Sequence, residues 1–327
     1  MAYTPDKLQI INENMKANLM SGDDALVKTA GLAGTDYFRV EIRENAVRRL
    51  ITPPVNVTAD MLDPAEDSDF PSLLVEIAPQ CFGAKKVSFE TGPEGEVIHG
   101  RKSRVEFNRI MTDRYTIDKA RLHTYKMPIL DILYDLMLKN IMDVEDKICV
   151  AVDDEICGEL NAASTIDYNL RRYATIGALD DLTNGGRATL VRLKQGMKYA
   201  PGQLQPAKYL MNDITYDEFG VFDHDTIGGT MAQDIFINGV ALTTLMGIDT
   251  VITTKRDIVK NNDVYIYAAP KFYGGFYTFE DVSMVTKETD NIWLSFFAHE
   301  TVGFSVVNVA GVCKASMTGE FRGWTIN

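Results

Sequence analysis

The sequence predicts an α+β fold drawn out into an elongated plate rather than a globule around a pocket. Three observations predict it. Apolar residues alternate with period two over fifteen residues, from Ile292 to Val306. A helical spacing of apolar residues runs from about Pro128 to about Gly158, and basic residues collect in one segment of an otherwise acidic chain.

The 327 residues, 46% hydrophobic and 24% charged, suffice for one elaborated domain or two interleaved ones with an apolar core. The opening MAYTPDKLQIINEN has no basic stretch followed by an apolar one, so no secretory leader is expected and assembly in a cytoplasm is. No run reaches the ~20 apolar residues of a membrane span, because Asn308 breaks Val302–Val312 and Lys314 closes it. A membrane partner is therefore not expected. Cys81, Cys149, Cys157 and Cys313 lie far apart without a CxxC pair, which favours buried free thiols over a zinc site or a disulfide framework.

A net charge of −13 has the wrong sign for gripping nucleic acid through its phosphates. Between Lys85 and Lys126, however, ten bases stand against six acids. A basic segment on an acidic body suits self-association, since one copy's basic part can meet another's acidic surface.

Taken in order, residues 1–50 have the pattern of an N-terminal arm. Leu8, Ile11, Met15 and Leu19 form a short helical stripe that stops at Ser21-Gly22, and a strand-like piece follows at Tyr37–Ile42. Pro53 to Pro71 is a loop by composition, carrying Asp60, Asp63, Glu66, Asp67 and Asp69, and its acids do not fit the EF-hand spacing for calcium. From Val87 to Thr124 strand-like stretches flank the turn Thr91-Gly92-Pro93-Glu94-Gly95, an extended hairpin too polar to bury a face of its own. It is expected to rest on another subunit.

Leu130, Leu133, Met137, Ile141, Val144 and Ile148 then recur at three- and four-residue steps, predicting one amphipathic spine helix about 45 Å long. After Gly185-Gly186 a second helix carries Leu190, Leu193 and Met197 and stops near Pro201-Gly202. A compact mixed region follows. It comprises a strand Ala207–Met211, a helix from about Thr215, a glycine-containing loop Asp225–Thr230, an apolar stretch Ala241–Met246, and strands Thr250–Thr254 and Val264–Ala268. Finally, Phe276–Lys287 pairs with Ile292–Val306 across Glu288-Thr289-Asp290-Asn291 in a hairpin of about 40–50 Å, its alternation interrupted only by Glu300.

Signatures of chemistry are sparse. The chain has no GxxxxGK[ST] phosphate loop, no strand-linked GxGxxG and no GxSxG nucleophile elbow. His299-Glu300 begins like a zinc-protease motif, but Gly303 stands where the second ligand belongs. Asp223-His224-Asp225 beside Gly228-Gly229 is the best place for an acid–base site, against the simpler reading of a polar surface loop. Tyr273-Gly274-Gly275-Phe276 offers either a ligand-facing loop or close backbone packing. No catalytic, cofactor-binding or metal-binding residue is assigned, and no cofactor is expected.

Three segments carry a resemblance: Pro206–Asp213 followed by Tyr216-Asp217-Glu218-Phe219; Gly239–Thr253 with Asp263–Tyr267; and Glu300–Phe304 with Asn308–Lys314. With the order of elements, they resemble the Hong-Kong-97-type major capsid protein of tailed bacteriophages, a fold shared with encapsulins and herpesvirus capsid floors. The resemblance implies an arm and lead-in (1–80) and an extended loop (81–126). It further implies a peripheral domain (127–182 and 266–306) and an axial domain (183–265 and 307–327).

By the same resemblance, Lys85, Lys86, Arg101, Lys102, Arg104, Arg109 and Arg114 would contact a neighbouring subunit. The chain would be a non-enzymatic virion protein that self-assembles through pentamers and hexamers around double-stranded DNA. It would work with a separate scaffolding protein, a portal and a decoration protein, and without a lysine–asparagine crosslink. Two other readings compete: an encapsulin-like compartment around enzyme cargo, and a cytoplasmic α+β enzyme built around His224.

Overall fold

A computed structural model describes residues 46–63, 70–77, 101–124, 129–163, 173–176, 187–199, 203–220, 244–261, 263–289 and 292–317. The elements are α1 (Val47–Ile51), β1 (Pro54–Asn56), β2 (Ser72–Ile77), β3 (Arg101–Met111), β4 (Tyr115–Asp118), α2 (Lys119–Thr124) and the spine α3 (Ile129–Ala163). They continue with β5 (Tyr173–Ile176), α4 (Arg187–Tyr199), β6 (Pro206–Asn212), α5 (Asp213–Gly220), β7 (Thr244–Leu245), β8 (Ile248–Thr253) and β9 (Asp263–Ala268). The last are α6 (Pro270–Tyr273), β10 (Gly274–Thr289), β11 (Trp293–Val306) and β12 (Val312–Met317).

Among the described residues, two six-stranded sheets organise the molecule. The first runs β1-β10-β11-β3-β2, with β4 also pairing β11; the second runs β5-β12-β9-β6-β8-β7. The long hairpin forms as its alternation predicts, Thr289 facing Trp293 at the tip and Gly274 facing Val306 at the base. Leu294, Phe296, Ala298 and Val302 point inward, while Ile292 lies outside the strand and is exposed. A Cβ on Gly274 would fall 2.1 Å from the Ser305 carbonyl oxygen, so Gly274 serves close backbone packing, whereas a Cβ on Gly275 would meet the Tyr277 ring.

The 35 residues of α3 span about 52 Å. Its inward face differs from the expected stripe: Met137 and Ile141 are buried, but Val144 and Ile148 are exposed, and Glu145, Asp146 and Asp153 are buried in their stead. Two apolar cores meet along this helix. Tyr134 to Cys149 pack with Phe276, Leu294 and Phe296 of the hairpin, whereas Val150 and Cys157 pack with Tyr209, Tyr265, Tyr267 and Val312 of the second sheet. Cys149, Cys157 and Cys313 are buried and form no disulfide, and burial pushes the Cys149 and Cys157 thiols up. Among the described residues no helix is long and apolar enough to cross a membrane.

β9 lies wholly in the second sheet, and β5 joins the same sheet through β12. Within the expected arm and lead-in, β1 pairs parallel with β10, and α1 packs on the spine. Of the basic segment, β3 pairs with β2, Ile77 facing Arg101, and then continues into the first sheet against β11, while residues 81–100 lie outside the described residues. The arm pattern at Leu8–Leu19, the strand-like Tyr37–Ile42, Cys81, and the Thr91–Gly95 and Asp225–Thr230 loops lie outside the described residues.

The strand-to-helix passage at Asn212 shows how local sequence sets a corner. Asn212 Oδ1 accepts from the Thr215 backbone N–H at 2.7 Å, capping α5, while its Nδ2 donates to Asn261 Oδ1 at 2.6 Å and ties the corner to the β8–β9 loop. Asn212→Ala is expected to cost about 1–2 kcal/mol, read as a fall in the denaturant midpoint. An unchanged midpoint would mean that the cap does not hold this corner.

Candidate functional site

The most constrained chemistry sits where the spine, the hairpin and the second sheet meet α1. Five residues are too few to make a stable helix alone, and Ala46 supplies no side-chain cap. Asp146 of α3 caps it from outside, its carboxylate accepting the backbone N–H of Arg48 at 2.8 Å and of Val47 at 3.3 Å. Acid at a helix N-terminus is also favoured by the helix dipole. Lys255, from the loop after β8, pairs with the same carboxylate at 2.6 Å and with Asp143 at 3.1 Å.

Capped in this way, α1 sends two arginines inward. Arg48 Nη1 donates to Asp153 Oδ2 at 3.1 Å, and its guanidinium lies 4.0 Å from the Phe304 ring centroid and 4.9 Å from that of Tyr273. Asp153 also accepts from the Tyr267 hydroxyl at 2.9 Å and from the Tyr273 hydroxyl. Burial disfavours the Arg48 cation, but Asp153, together with Tyr273, Cys149 and Tyr267, more than offsets this and its pKa is raised. Burial likewise pushes both tyrosines far up, so they act as hydroxyl donors. One carboxylate of the spine thereby binds α1, the end of β9 and α6 together.

Arg49 reaches the other way. Its Nε donates to both Glu145 oxygens, at 3.1 and 3.2 Å, and its Nη2 bridges Glu145 Oε2 at 3.0 Å and Glu300 Oε2 at 2.8 Å. Glu300 is therefore the reason the hairpin's alternation breaks: it occupies an inward position because Arg49 waits there. His299 faces the opposite side and contacts Ser283, so the zinc-protease likeness ends with the two side chains apart. Among the described residues no cluster of three His, Cys, Asp or Glu could hold a metal.

A second polar knot joins α3 to the second sheet. Lys314 Nζ lies 2.8 Å from both Asp154 Oδ1 and Asp263 Oδ2, and the Tyr265 hydroxyl donates to Asp154 at 2.6 Å. Sequence reasoning joined none of these groups into a site. The available signal was the Arg48-Arg49 pair inside Val47–Ile51, together with acids at inward positions of the spine and hairpin.

The predicted basic residues separate into distinct settings. Lys85 and Lys86 lie outside the described residues, as does His224, and Arg101 faces Ile77 in β3. Lys102 pairs with Glu76 at 3.3 Å and Arg109 with Glu280 at 3.1 Å, both within the chain and at the surface. Arg114 is exposed over the Phe297 ring, 5.4 Å from its centroid, and the exposed Arg104 makes no ion pair with another described residue. Val105 and Phe107 of the same strand close over Gly303, where a Cβ would come within 3.0 Å of Val105 and 3.1 Å of Phe107. The strand is thus anchored by its apolar side and offers its charges outward.

Neither a protein-family model nor a curated protein sequence matches the chain. Solved structures do match. A chain of Microbacterium phage Oxtober96 aligns at 11% identity and TM-score 0.55, covering 84% of this chain and 91% of its own. The capsid of a native GTA particle aligns at 15% identity and TM-score 0.52, covering 84% and 90%. The capsid of cyanophage P-SCSP1u aligns at 10% identity and TM-score 0.52, covering 77% and 85%. The chain has the Hong-Kong-97-type capsid fold over most of its length.

Proposed function

We propose that this chain is the major capsid protein of a tailed phage, closing through pentamers and hexamers into an icosahedral shell around double-stranded DNA. The observation that carries the reading is the correspondence of fold over most of both chains with the GTA and cyanophage capsids. In this reading the spine and the first sheet form the peripheral domain and the second sheet forms the axial domain. Heterologous contacts between copies close rings, and repeated rings close a shell. A separate scaffolding protein, a portal and a decoration protein complete the expected partners.

Electron microscopy of the purified protein, with light scattering for particle mass, tests this. Closed shells or five- and six-membered rings are expected. A monomer or dimer that stays unassembled at high concentration and with a crowding polymer would overturn the proposal. Nuclease-protected DNA in particles from producing cells supports the phage reading, whereas particles loaded with enzyme would replace it with a cargo compartment.

The outward charges of β3 supply the inter-subunit contact in this reading. Arg104 and Arg114 are its best members, because Lys102 and Arg109 already have partners in their own chain. Changing both to glutamate is expected to leave the thermal midpoint of the subunit in place and to abolish shells in light scattering. Wild-type shell yield from that variant would remove the contact from the proposal.

A further inference from the structure

The Arg49 pocket holds more acid than base. Arg49 Nη2 lies between Glu145 Oε2 and Glu300 Oε2, both carboxyls fully enclosed, while Asp281 of β10 stands 3.6 Å from Nη1 at the rim. Around the two glutamates, α1 contributes Arg48 and Arg49, α3 contributes Asp146 and Cys149, β10 contributes Asp281, and β3 places the apolar Ile110 opposite Glu300. Arg48 is occupied by Asp153, Lys255 by Asp143 and Asp146, and Arg109 by Glu280. Among the described residues Arg49 is therefore the single cation bonded to two buried carboxyls.

Two like charges sharing one buried cation cannot both be ionised cheaply. Arg49 supplies one positive charge to the two buried carboxyls, so a proton on one of them removes the excess negative charge. Glu300 Oε1 has no hydrogen-bond partner in its buried position. Glu145 takes three of the four contacts from Arg49 and Glu300 takes one, so the charge belongs on Glu145 and the proton on Glu300.

We propose that the folded chain keeps one proton on Glu300, and that the cluster of Glu145, Arg49 and Glu300 is a pH-sensitive latch joining the spine helix to the long hairpin. It is closed while the proton is held and loosens when the proton is lost. Burial, followed by the Glu145 carboxylate, raises the Glu300 carboxyl well above its ordinary value of 4.5, and Arg49 offsets only part of this. An acid raised in the folded state stabilises fully below its unfolded pKa. That contribution is lost as pH climbs from about 4.5 through the folded pKa.

The test compares the full-length wild type with Glu300→Gln, whose neutral amide imitates the protonated acid. Thermal midpoints are measured from pH 5 to pH 9. The wild-type midpoint is expected to fall more steeply than that of the variant, the gap widening by roughly 3–5 °C for each unit by which the folded state raises the pKa. Calorimetry in buffers of different ionisation enthalpy should show wild type releasing about one more proton than the variant on unfolding at pH 7. Parallel pH profiles with equal proton release would overturn the proposal. Infrared spectroscopy of the wild type alone covers the case in which the variant does not fold. A buried protonated-carboxyl band at neutral pH supports the latch, and its absence overturns it.

Discussion

Replacing Arg48 by alanine is expected to lower the stability of the subunit by about 3–5 kcal/mol, because it strands Asp153 as an unpaired buried carboxylate. Arg48 and Asp153 have side-chain exposures of 2% and 0%, so water cannot replace the lost partner. The Tyr267 and Tyr273 hydroxyls remain as donors, and they keep the loss from becoming larger. Guanidinium denaturation read by circular dichroism measures it. Asp153→Ala should cost a similar amount, and the double variant less than the sum, because removing both ions also removes the stranded charge. The control is Arg256→Ala: Arg256 pairs with Asp213 at 2.9 Å in the open, and its midpoint should not move measurably. A small effect of Arg48→Ala, equal to that of Arg256→Ala, would show that α1 is not the clamp described above.

Gly274→Ala is the second large effect. The new methyl would meet the Ser305 carbonyl oxygen at 2.1 Å and the Val306 Cα at 3.0 Å, both backbone of the paired strand. Neither can rotate away. Overpacking against side chains costs about 1–3 kcal/mol, and a clash with backbone should reach or exceed the top of that range. The hairpin base also carries Tyr273, whose hydroxyl reaches Asp153, so spreading β10 from β11 loosens the arginine clamp as well. Expected outcomes are a largely insoluble product or a thermal midpoint lower by roughly 6–12 °C. Gly275→Ala is the comparison, since its methyl would meet only the far end of the Tyr277 ring at 2.4 Å. That ring can swing, and the cost should be smaller. Equal midpoints for Gly274→Ala and wild type would show that the strands relax freely at this point.

The long elements were legible because each is governed by a local period. Alternation placed β11 and its partner β10 within a residue or two, since side-chain direction along a strand is fixed by the backbone alone. The Asn212-Asp213 corner was legible for a similar reason: its capping bond spans three residues. The spine was found as a helix, but its inward face was misread. Val144 and Ile148 looked like core by spacing and are exposed, whereas Glu145 and Asp153 looked like surface by chemistry and are buried. Hydropathy ranks residues by their preference for water, and that preference is overturned wherever a buried partner waits.

The sequence by itself determined the α+β class, the long helix and hairpin, the order of elements and the basic strand on an acidic body. Each of these is written in neighbours a few residues apart. Tertiary structure alone decided that Arg49 closes on Glu145 and Glu300, which lie 96 and 251 positions away. It also decided that β3 pairs with β2 and, farther along, with β11 of the first sheet. The physical reason is the same in both cases. A charge or a strand edge becomes satisfied only by the particular group brought to it in space, and no local pattern records which distant segment that is.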